Sequence, residues 1–206
     1  MQMQVVFVLA QDPTRAERHR YPQRGYQFQY PHPAKEGGCS LKTYTGIEVD
    51  PFNISLGHIN IVDIAHSLSQ LCRFNGHTLR HYSVAQHCVL VSRLVDSDIA
   101  LEGLMHDAEE AYTGDMTTQI KHSGDMFDFC QLGEKISLQI FKRFNLQDTP
   151  AVHDEIKVQD TIICEIEKAS LFRFATSNVI VPLQADAAEM EFLSRFNELY
   201  RLRHSN

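Results

Sequence analysis

From residue 60 onward, apolar residues recur with the 3.6-residue period of the α-helix, and this period restricts the chain to a mainly α fold. Helices are predicted over residues 61–74, 84–95, 97–112, 126–145, 150–175 and 185–203, with a short strand or loop over 178–183. Ser83 and Gln86 form a candidate capping box before the second helix, and Thr149 with Pro150 marks the start of the fifth. The unequal lengths argue against a simple four-helix bundle.

The first 40 residues have a different character. Five of the seven prolines lie in this segment or at its border, and the helical period is poor there. Proline and glycine interrupt helices, so we predict a short extended or β arm over residues 1–40. The helical domain is predicted to occupy residues 41–206.

Polar side chains interrupt three of the apolar faces. His87 shares its helix face with Val84 and Val91, and Asp160 lies between Ile156 and Ile163. A buried carboxylate is costly unless it is paired or binds a metal. Together with His106 and Asp107, these residues make a mixed nitrogen and oxygen ligand set that suits a divalent transition ion.

A single buried histidine is more often a hydrogen-bonded core residue than a ligand, and that alternative stays open for each of these positions. The dipeptide His-Asp also occurs twice in the chain, at His106-Asp107 and at His153-Asp154. The second copy falls in the first turn of a predicted helix, where an acidic residue compensates the helix dipole. Glu110 shares a predicted helix face with the first copy, which favours the first copy as the site.

The spacing His87, His106-Asp107, Asp160 resembles the H…HD…D signature of the HD-domain metal-dependent phosphohydrolases. Residues 63–77, 82–87 and 104–115 resemble the subgroup of bacterial 5′-deoxynucleotidases and phage dATP triphosphohydrolases, and the resemblance covers roughly residues 43–175. It implies the HD-domain helical fold for the helical domain. Residues 1–40 lie outside it.

The resemblance implies a role for each matching residue. His87, His106, Asp107 and Asp160 would bind a catalytic divalent ion, which could be Zn, Co, Mn or Mg. Catalysis would use Glu110, which orients or deprotonates the attacking water, together with Asp107. The implied substrate-binding residues are Arg73 on the phosphate nearest the sugar, Phe74 against the base, Asp115 near the deoxyribose, and His77 and Lys121 near phosphate.

The activity implied by this resemblance is hydrolysis of a small deoxynucleotide. We expect dATP to be cleaved to deoxyadenosine and tripolyphosphate. Two alternatives stay open: a 5′-deoxynucleotidase that acts on deoxynucleoside monophosphates, and a non-catalytic HD module that binds a nucleotide. The family further implies a homo-oligomer, a dimer or a hexamer.

The charge distribution bears on the ligand. The net charge of −7 disfavours a long nucleic acid, yet residues 1–95 hold 9 Lys+Arg against 6 Asp+Glu, which leaves room for a small phosphate ligand. The five cysteines form no C-x-x-C pair, which fits free thiols in a reducing cytoplasm, the host cytoplasm for a viral protein. Neither a secretory signal nor a membrane span is expected.

Overall fold

The computed structural model describes residues 40–121, 123–177 and 179–205. The predicted N-terminal arm lies outside these residues, apart from Ser40. The described part is mainly α, as the apolar period predicts. None of its helices combines the length and the apolar content that crossing a membrane requires.

Eight α-helices, five short 3-10 helices and one two-stranded sheet make up the regular structure of the described residues. The helices are α1 (Ile61–Gln70), α2 (Val84–Leu94), α3 (Ala100–Met105), α4 (Glu110–Thr113), α5 (Thr118–Lys121), α6 (Phe127–Phe144), α7 (Pro150–Leu171) and α8 (Ala185–His204). Strands β1 (Leu41–Lys42) and β2 (Glu48–Val49) pair antiparallel. The sequence analysis did not predict this hairpin.

Helix α2 is the centre of the fold and packs against α1, α3, α7 and α8. Its buried residues include Val84, Cys88 and Val91, which are fully excluded from solvent. The predicted N-cap is present, because the Ser83 hydroxyl accepts from the Gln86 backbone N–H at 3.2 Å. The reciprocal half of the predicted capping box is wrong: the Gln86 side chain instead bonds the backbone of Val181 and Leu183 in the loop before α8.

Helix α1 ends at Gln70, four residues before the predicted end. The chain turns extended at Leu71, and Cys72 pairs with Ser83 in an antiparallel bridge. The Arg73 N–H donates to the Tyr82 carbonyl at 2.9 Å. This long-range pairing replaces the helical hydrogen bonds of the last predicted turn.

The helix predicted over 97–112 is divided. Helix α3 ends at Met105, residues 106–109 form turns, and α4 begins at Glu110. The backbone keeps right-handed helical angles at His106 and Glu109, but the bonds across the break span three residues, as from the Glu110 N–H to the Asp107 carbonyl. Helix α7 begins after the Thr149 cap as predicted, and it ends at Leu171 rather than near residue 175.

Close packing of α3 on α2 depends on a glycine in α3. A Cβ built on Gly103 would lie 2.8 Å from Val95 Cγ2 and 3.3 Å from the Ser92 Cα. Alanine is the better helix former by about 1 kcal/mol, but overpacking costs about 1–3 kcal/mol. We therefore expect Gly103→Ala to lower the free energy of unfolding, measured by urea denaturation.

Gly133 in the middle of α6 is the matched control. Its Cβ would meet nothing closer than Glu109 Cγ at 3.7 Å. Gly133→Ala is expected to be neutral or to stabilise the protein by up to about 1 kcal/mol. A Gly103→Ala protein as stable as wild type would contradict the packing described here.

Candidate metal centre

Three segments that are distant in sequence bring the predicted metal ligands together. His87 comes from α2, His106 and Asp107 from the turn after α3, and Asp160 from α7. His87 Nε2 lies 3.2 Å from Asp160 Oδ1 and 3.8 Å from Asp107 Oδ2, while His106 Nε2 lies 3.2 Å from Asp107 Oδ2. Ligand atoms of His87, His106 and Asp160 all lie within 4.8 Å of one another.

The hydrogen bonds of the two imidazoles leave both Nε2 atoms available for a metal ion. The Nδ1–H of His87 donates to Glu167 Oε1 at 2.7 Å, and the Nδ1–H of His106 donates to the Gly103 carbonyl at 2.9 Å. Because both partners only accept, each neutral ring carries its proton on Nδ1 and its lone pair on Nε2. Both Nε2 atoms are buried without a hydrogen-bond partner among the described residues. Such orphaned atoms are costly in a core and fit a metal ion.

The charges around the centre hold both aspartates ionised. Burial raises the pKa of Asp107, but His106, His87 and Arg73 hold it well below its usual range. Burial likewise raises the pKa of Asp160, and the neighbouring imidazoles of His87 and His106 outweigh that effect and lower it. The pKa of His106 is raised by Asp107 against the effect of burial. Because a metal ligand must be a neutral imidazole, His106 would release a proton when an ion binds.

These residues can hold a metal ion. Two imidazole nitrogens and two carboxylates form the mixed set that Zn²⁺, Co²⁺ and Mn²⁺ accept. The second His-Asp dipeptide contributes nothing to the centre: His153 bonds Asp148 at 2.7 Å and stacks on Phe141, and Asp154 is exposed. The unpartnered Nε2 atoms of His87 and His106, among the described residues, weigh against the alternative of two self-contained core histidines.

Metal binding is expected to raise the thermal stability of metal-stripped protein. Co²⁺ at 100 times its dissociation constant stabilises a fold by about 2.7 kcal/mol, which for a chain of this size raises Tm by roughly 5–11 °C. Thermal denaturation after chelator treatment, with and without Co²⁺, measures the shift. Asp160→Asn is expected to reduce it strongly, and an equal shift in that variant would contradict the ligand assignment.

Glu110 lies beside the centre at the first residue of α4. It is 3% exposed, Lys121 Nζ donates to its Oε1 at 2.7 Å, and its Oε2 is buried without a hydrogen-bond partner in the described part of the chain. Burial raises the pKa of Glu110, the charge of Asp107 raises it further, and Lys121 opposes both. With a pKa of about 9, Glu110 carries a proton at neutral pH, and a cation held at the centre would lower this pKa so that the free oxygen could accept a proton.

Arg73 approaches the centre from the segment between α1 and α2. Its Nη1 lies 3.7 Å from Asp107 Oδ2, and its Nε and Nη2 donate to Glu167 Oε2 at 3.3 and 3.2 Å. Burial lowers the pKa of Arg73, but Glu167 and Asp107 together raise it. The guanidinium is therefore a fixed positive charge at the edge of the metal ligands.

A strained turn follows Arg73. Phe74, Asn75 and Gly76 have φ angles of 54°, 51° and 74°, a left-handed run that is costly for a bulky residue such as phenylalanine. The turn holds the Phe74 ring 5.4 Å from the Arg73 guanidinium carbon and edge-on to Phe172. Strain of this kind is concentrated at functional sites, so the turn is a candidate substrate-binding feature.

The other predicted substrate-binding residues differ in position. Asp115 is partly buried, and its pKa is raised by burial and lowered by Arg73, which places it within electrostatic reach of the site. Lys121 bonds Glu110, a partner that the sequence analysis did not give it. His77 follows the strained turn and is exposed. Their roles toward a substrate stay predictions.

One residue of the site was missed by the sequence analysis. Glu167 on α7 is fully buried and bonds His87, Arg73 and the Tyr82 hydroxyl. It lies seven residues after Asp160 and four after Ile163, on the same face of the helix. The argument that singled out Asp160, a carboxylate on an apolar face, applies equally to Glu167.

Comparison with known proteins places the chain in a family. The chain is 36% identical over 176 residues to the uncharacterized protein YfdR of Escherichia coli, a match that covers 79% of the chain and 97% of YfdR. The chain belongs to the YfdR family. The chain is also 33% identical over 128 residues to the uncharacterized protein RCAP_rcc00048 of Rhodobacter capsulatus. This match covers 57% of the chain and 65% of that protein. No family model matches the chain. Neither relative's name assigns an activity to the YfdR family.

Proposed function

We propose that this chain is a divalent-metal-dependent phosphohydrolase of small deoxynucleotides, most concretely a dATP triphosphohydrolase that releases deoxyadenosine and tripolyphosphate. The observation that carries the proposal is the pair of unpartnered, buried Nε2 atoms of His87 and His106, which face two carboxylates. The choice of a deoxynucleotide, and of adenine, rests on the resemblance to HD-domain phosphohydrolases.

Arg73 is the residue we assign to the phosphate nearest the sugar. Its Nε and Nη2 are held by Glu167, while Nη1 points to the metal ligand Asp107. A phosphate beside the centre would therefore meet a guanidinium whose orientation is already fixed. Such preorganised donors stabilise phosphoryl charge without reorganisation during the reaction.

Glu110 is the residue we assign to the proton of the attacking water. Lys121 fixes Oε1, so the unpartnered Oε2 is the oxygen that can accept the proton. A divalent ion held by His87, His106, Asp107 and Asp160 would supply Lewis-acid chemistry to water and to a phosphoryl oxygen. As the water oxygen bonds to the α-phosphorus, the bond from phosphorus to the 5′ oxygen breaks. The 5′ oxygen takes up the proton that Glu110 accepted, and deoxyadenosine and tripolyphosphate are released.

One observation favours the second candidate, a 5′-deoxynucleotidase. A triphosphate requires more positive charge than a monophosphate, and the sequence supplies Arg73, Arg80 and Lys121 near the site. In the structure Lys121 is paired with Glu110, and Arg80 is exposed. The charge that is held at the centre thus suits a monophosphate.

A substrate panel separates the candidates. Metal-stripped protein is loaded with Co²⁺ or Mn²⁺, incubated with each of the four dNTPs and four dNMPs, and the products are separated by chromatography. The proposal predicts deoxyadenosine and tripolyphosphate from dATP. Deoxynucleosides from the monophosphates alone would establish the nucleotidase instead, and Co²⁺ binding without turnover of any nucleotide would favour the non-catalytic module.

The proposal includes self-association, because the resemblance to the 5′-deoxynucleotidase and dATP triphosphohydrolase subgroup implies a homo-oligomer. Light scattering coupled to gel filtration would measure it. A monomer mass would contradict this part of the proposal without affecting the metal centre.

A further inference from the structure

Glu167 joins the metal centre to Arg73. The carboxylate is fully buried on α7, and each of its oxygens serves a different side. Oε1 accepts from the Nδ1–H of His87 and from the Tyr82 hydroxyl, both at 2.7 Å. Oε2 accepts from Nε and Nη2 of Arg73 at 3.3 and 3.2 Å.

We infer that Glu167 is a positioning residue that sets the ligand geometry of His87 and the orientation of Arg73 through one carboxylate. Both of its oxygens are taken by protein donors, so it acts through these side chains. The Arg73 half of the inference rests on the proposed function, whereas the His87 half requires only that the centre binds metal.

The geometry explains how one carboxylate can orient both His87 and Arg73. The bond to Oε1 keeps the His87 proton on Nδ1 and so directs the Nε2 lone pair at Asp160 and Asp107. The bond to Oε2 holds one edge of the Arg73 guanidinium and leaves Nη1 toward the centre. Asp160 and Glu167 lie two turns apart on α7, so one rigid helix carries a metal ligand and its support.

Both oxygens of this buried carboxylate have hydrogen-bond donors. An ionised group in a dry interior is costly unless donors satisfy it, and Glu167 receives hydrogen bonds from His87, Tyr82 and Arg73. The fold could have satisfied a core carboxylate with backbone groups alone. Two of its donors are instead a metal-binding imidazole and the guanidinium beside it.

Glu167→Gln is the direct test, with Co²⁺ affinity as the readout. The variant keeps the size of the side chain, but one carboxylate oxygen becomes an NH₂ group. That group can only donate, so it repels the N–H donors of either His87 or Arg73. Partners that orient metal-binding histidines typically contribute 10–100-fold in metal affinity, and we expect Co²⁺ to bind Glu167→Gln weaker by about that factor. Isothermal titration and the Co²⁺ absorption bands measure it without any nucleotide.

Glu102 provides a matched control for the loss of a buried carboxylate. It is also fully buried on α3 and accepts from the Gln147 N–H and from Arg203 Nη2, both at 2.7 Å, and neither partner belongs to the centre. Glu102→Gln is expected to lower Tm while leaving Co²⁺ affinity unchanged. Tyr82→Phe removes one donor to Glu167 and retains His87 and Arg73, and it too should leave Co²⁺ affinity unchanged.

The outcomes are distinguishable. A folded Glu167→Gln protein that binds Co²⁺ as tightly as wild type would overturn the inference, as would an equal loss in Glu102→Gln. If Glu167→Gln does not fold, Glu167→Asp, which retracts the carboxylate by one methylene, carries the same expectation. Wild-type protein that binds Co²⁺ but hydrolyses no nucleotide would contradict the proposed function and leave the metal half of the inference intact. In an active enzyme, a raised KM in Glu167→Gln is expected from the misplaced Arg73, and an unchanged KM would overturn the Arg73 half.

Discussion

Asp107→Asn is expected to lower deoxynucleotide hydrolysis by at least about 10³-fold. Asp107 Oδ2 is central to the charged groups, at 3.2 Å from His106 Nε2, 3.8 Å from His87 Nε2 and 3.7 Å from Arg73 Nη1. Removing its charge takes a ligand from the centre and a counter-ion from the histidines and Arg73. Initial rates of product release, with Co²⁺ affinity measured alongside, give the effect.

Asp154→Asn is the matched control for this substitution. Asp154 also follows a histidine, but it is exposed and lies just past the first turn of α7, and not in that turn as the sequence predicts. The same substitution there is expected to leave activity and Co²⁺ affinity unchanged. Full activity in the Asp107 variant, or equal losses in both variants, would contradict the assignment of the centre.

Glu110→Gln is expected to reduce kcat by about 10²–10⁴-fold while Co²⁺ still binds. The amide keeps the shape of the side chain and loses the capacity to take a proton. Because His87, His106, Asp107 and Asp160 are untouched, metal affinity should stay near that of wild type. The separation of the two readouts distinguishes a proton acceptor from a metal ligand.

Glu109→Gln is the neighbouring control. The Glu109 carboxylate also lies near the centre, with an oxygen within 4.8 Å of those of Asp107 and Glu110, but Lys121 bonds Glu110. We expect its loss to reduce kcat far less than the loss of Glu110. Equal kcat losses in the two variants would indicate a general effect of negative charge near the centre, and not proton transfer by Glu110.

Much of this architecture could be predicted from local sequence patterns. The apolar period marked the long helices, and the caps at Ser83 and Thr149 are present in the structure. The placement of His87 and Asp160 on apolar faces singled them out as ligands, and the fold brings them to 3.2 Å. Periodicity reports which face of a helix is buried, and that is sufficient for residues in regular helices.

The remaining features depend on contacts between distant segments. The break after Met105 lies in a stretch where Leu104, Ala108 and Ala111 keep the helical spacing, so the period could not reveal it. Gln86 had a local role available as a capping residue, and the loop at Val181 and Leu183 competes successfully for its side chain. The pairing of Lys121 with Glu110 likewise requires α5 to fold back on α4. Such hydrogen bonds leave no periodic signal in the sequence.

The central claim is that the His87, His106, Asp107 and Asp160 centre hydrolyses a deoxynucleotide by attack of water on phosphorus. The most direct measurement is the mass analysis of products formed from dATP by Co²⁺-loaded protein in ¹⁸O-labelled water. The account predicts unlabelled deoxyadenosine and tripolyphosphate that carries one ¹⁸O atom, because the bond to the 5′ oxygen breaks on its phosphorus side. Label in the deoxyadenosine, or no product from any deoxynucleotide with a bound metal ion, would contradict it.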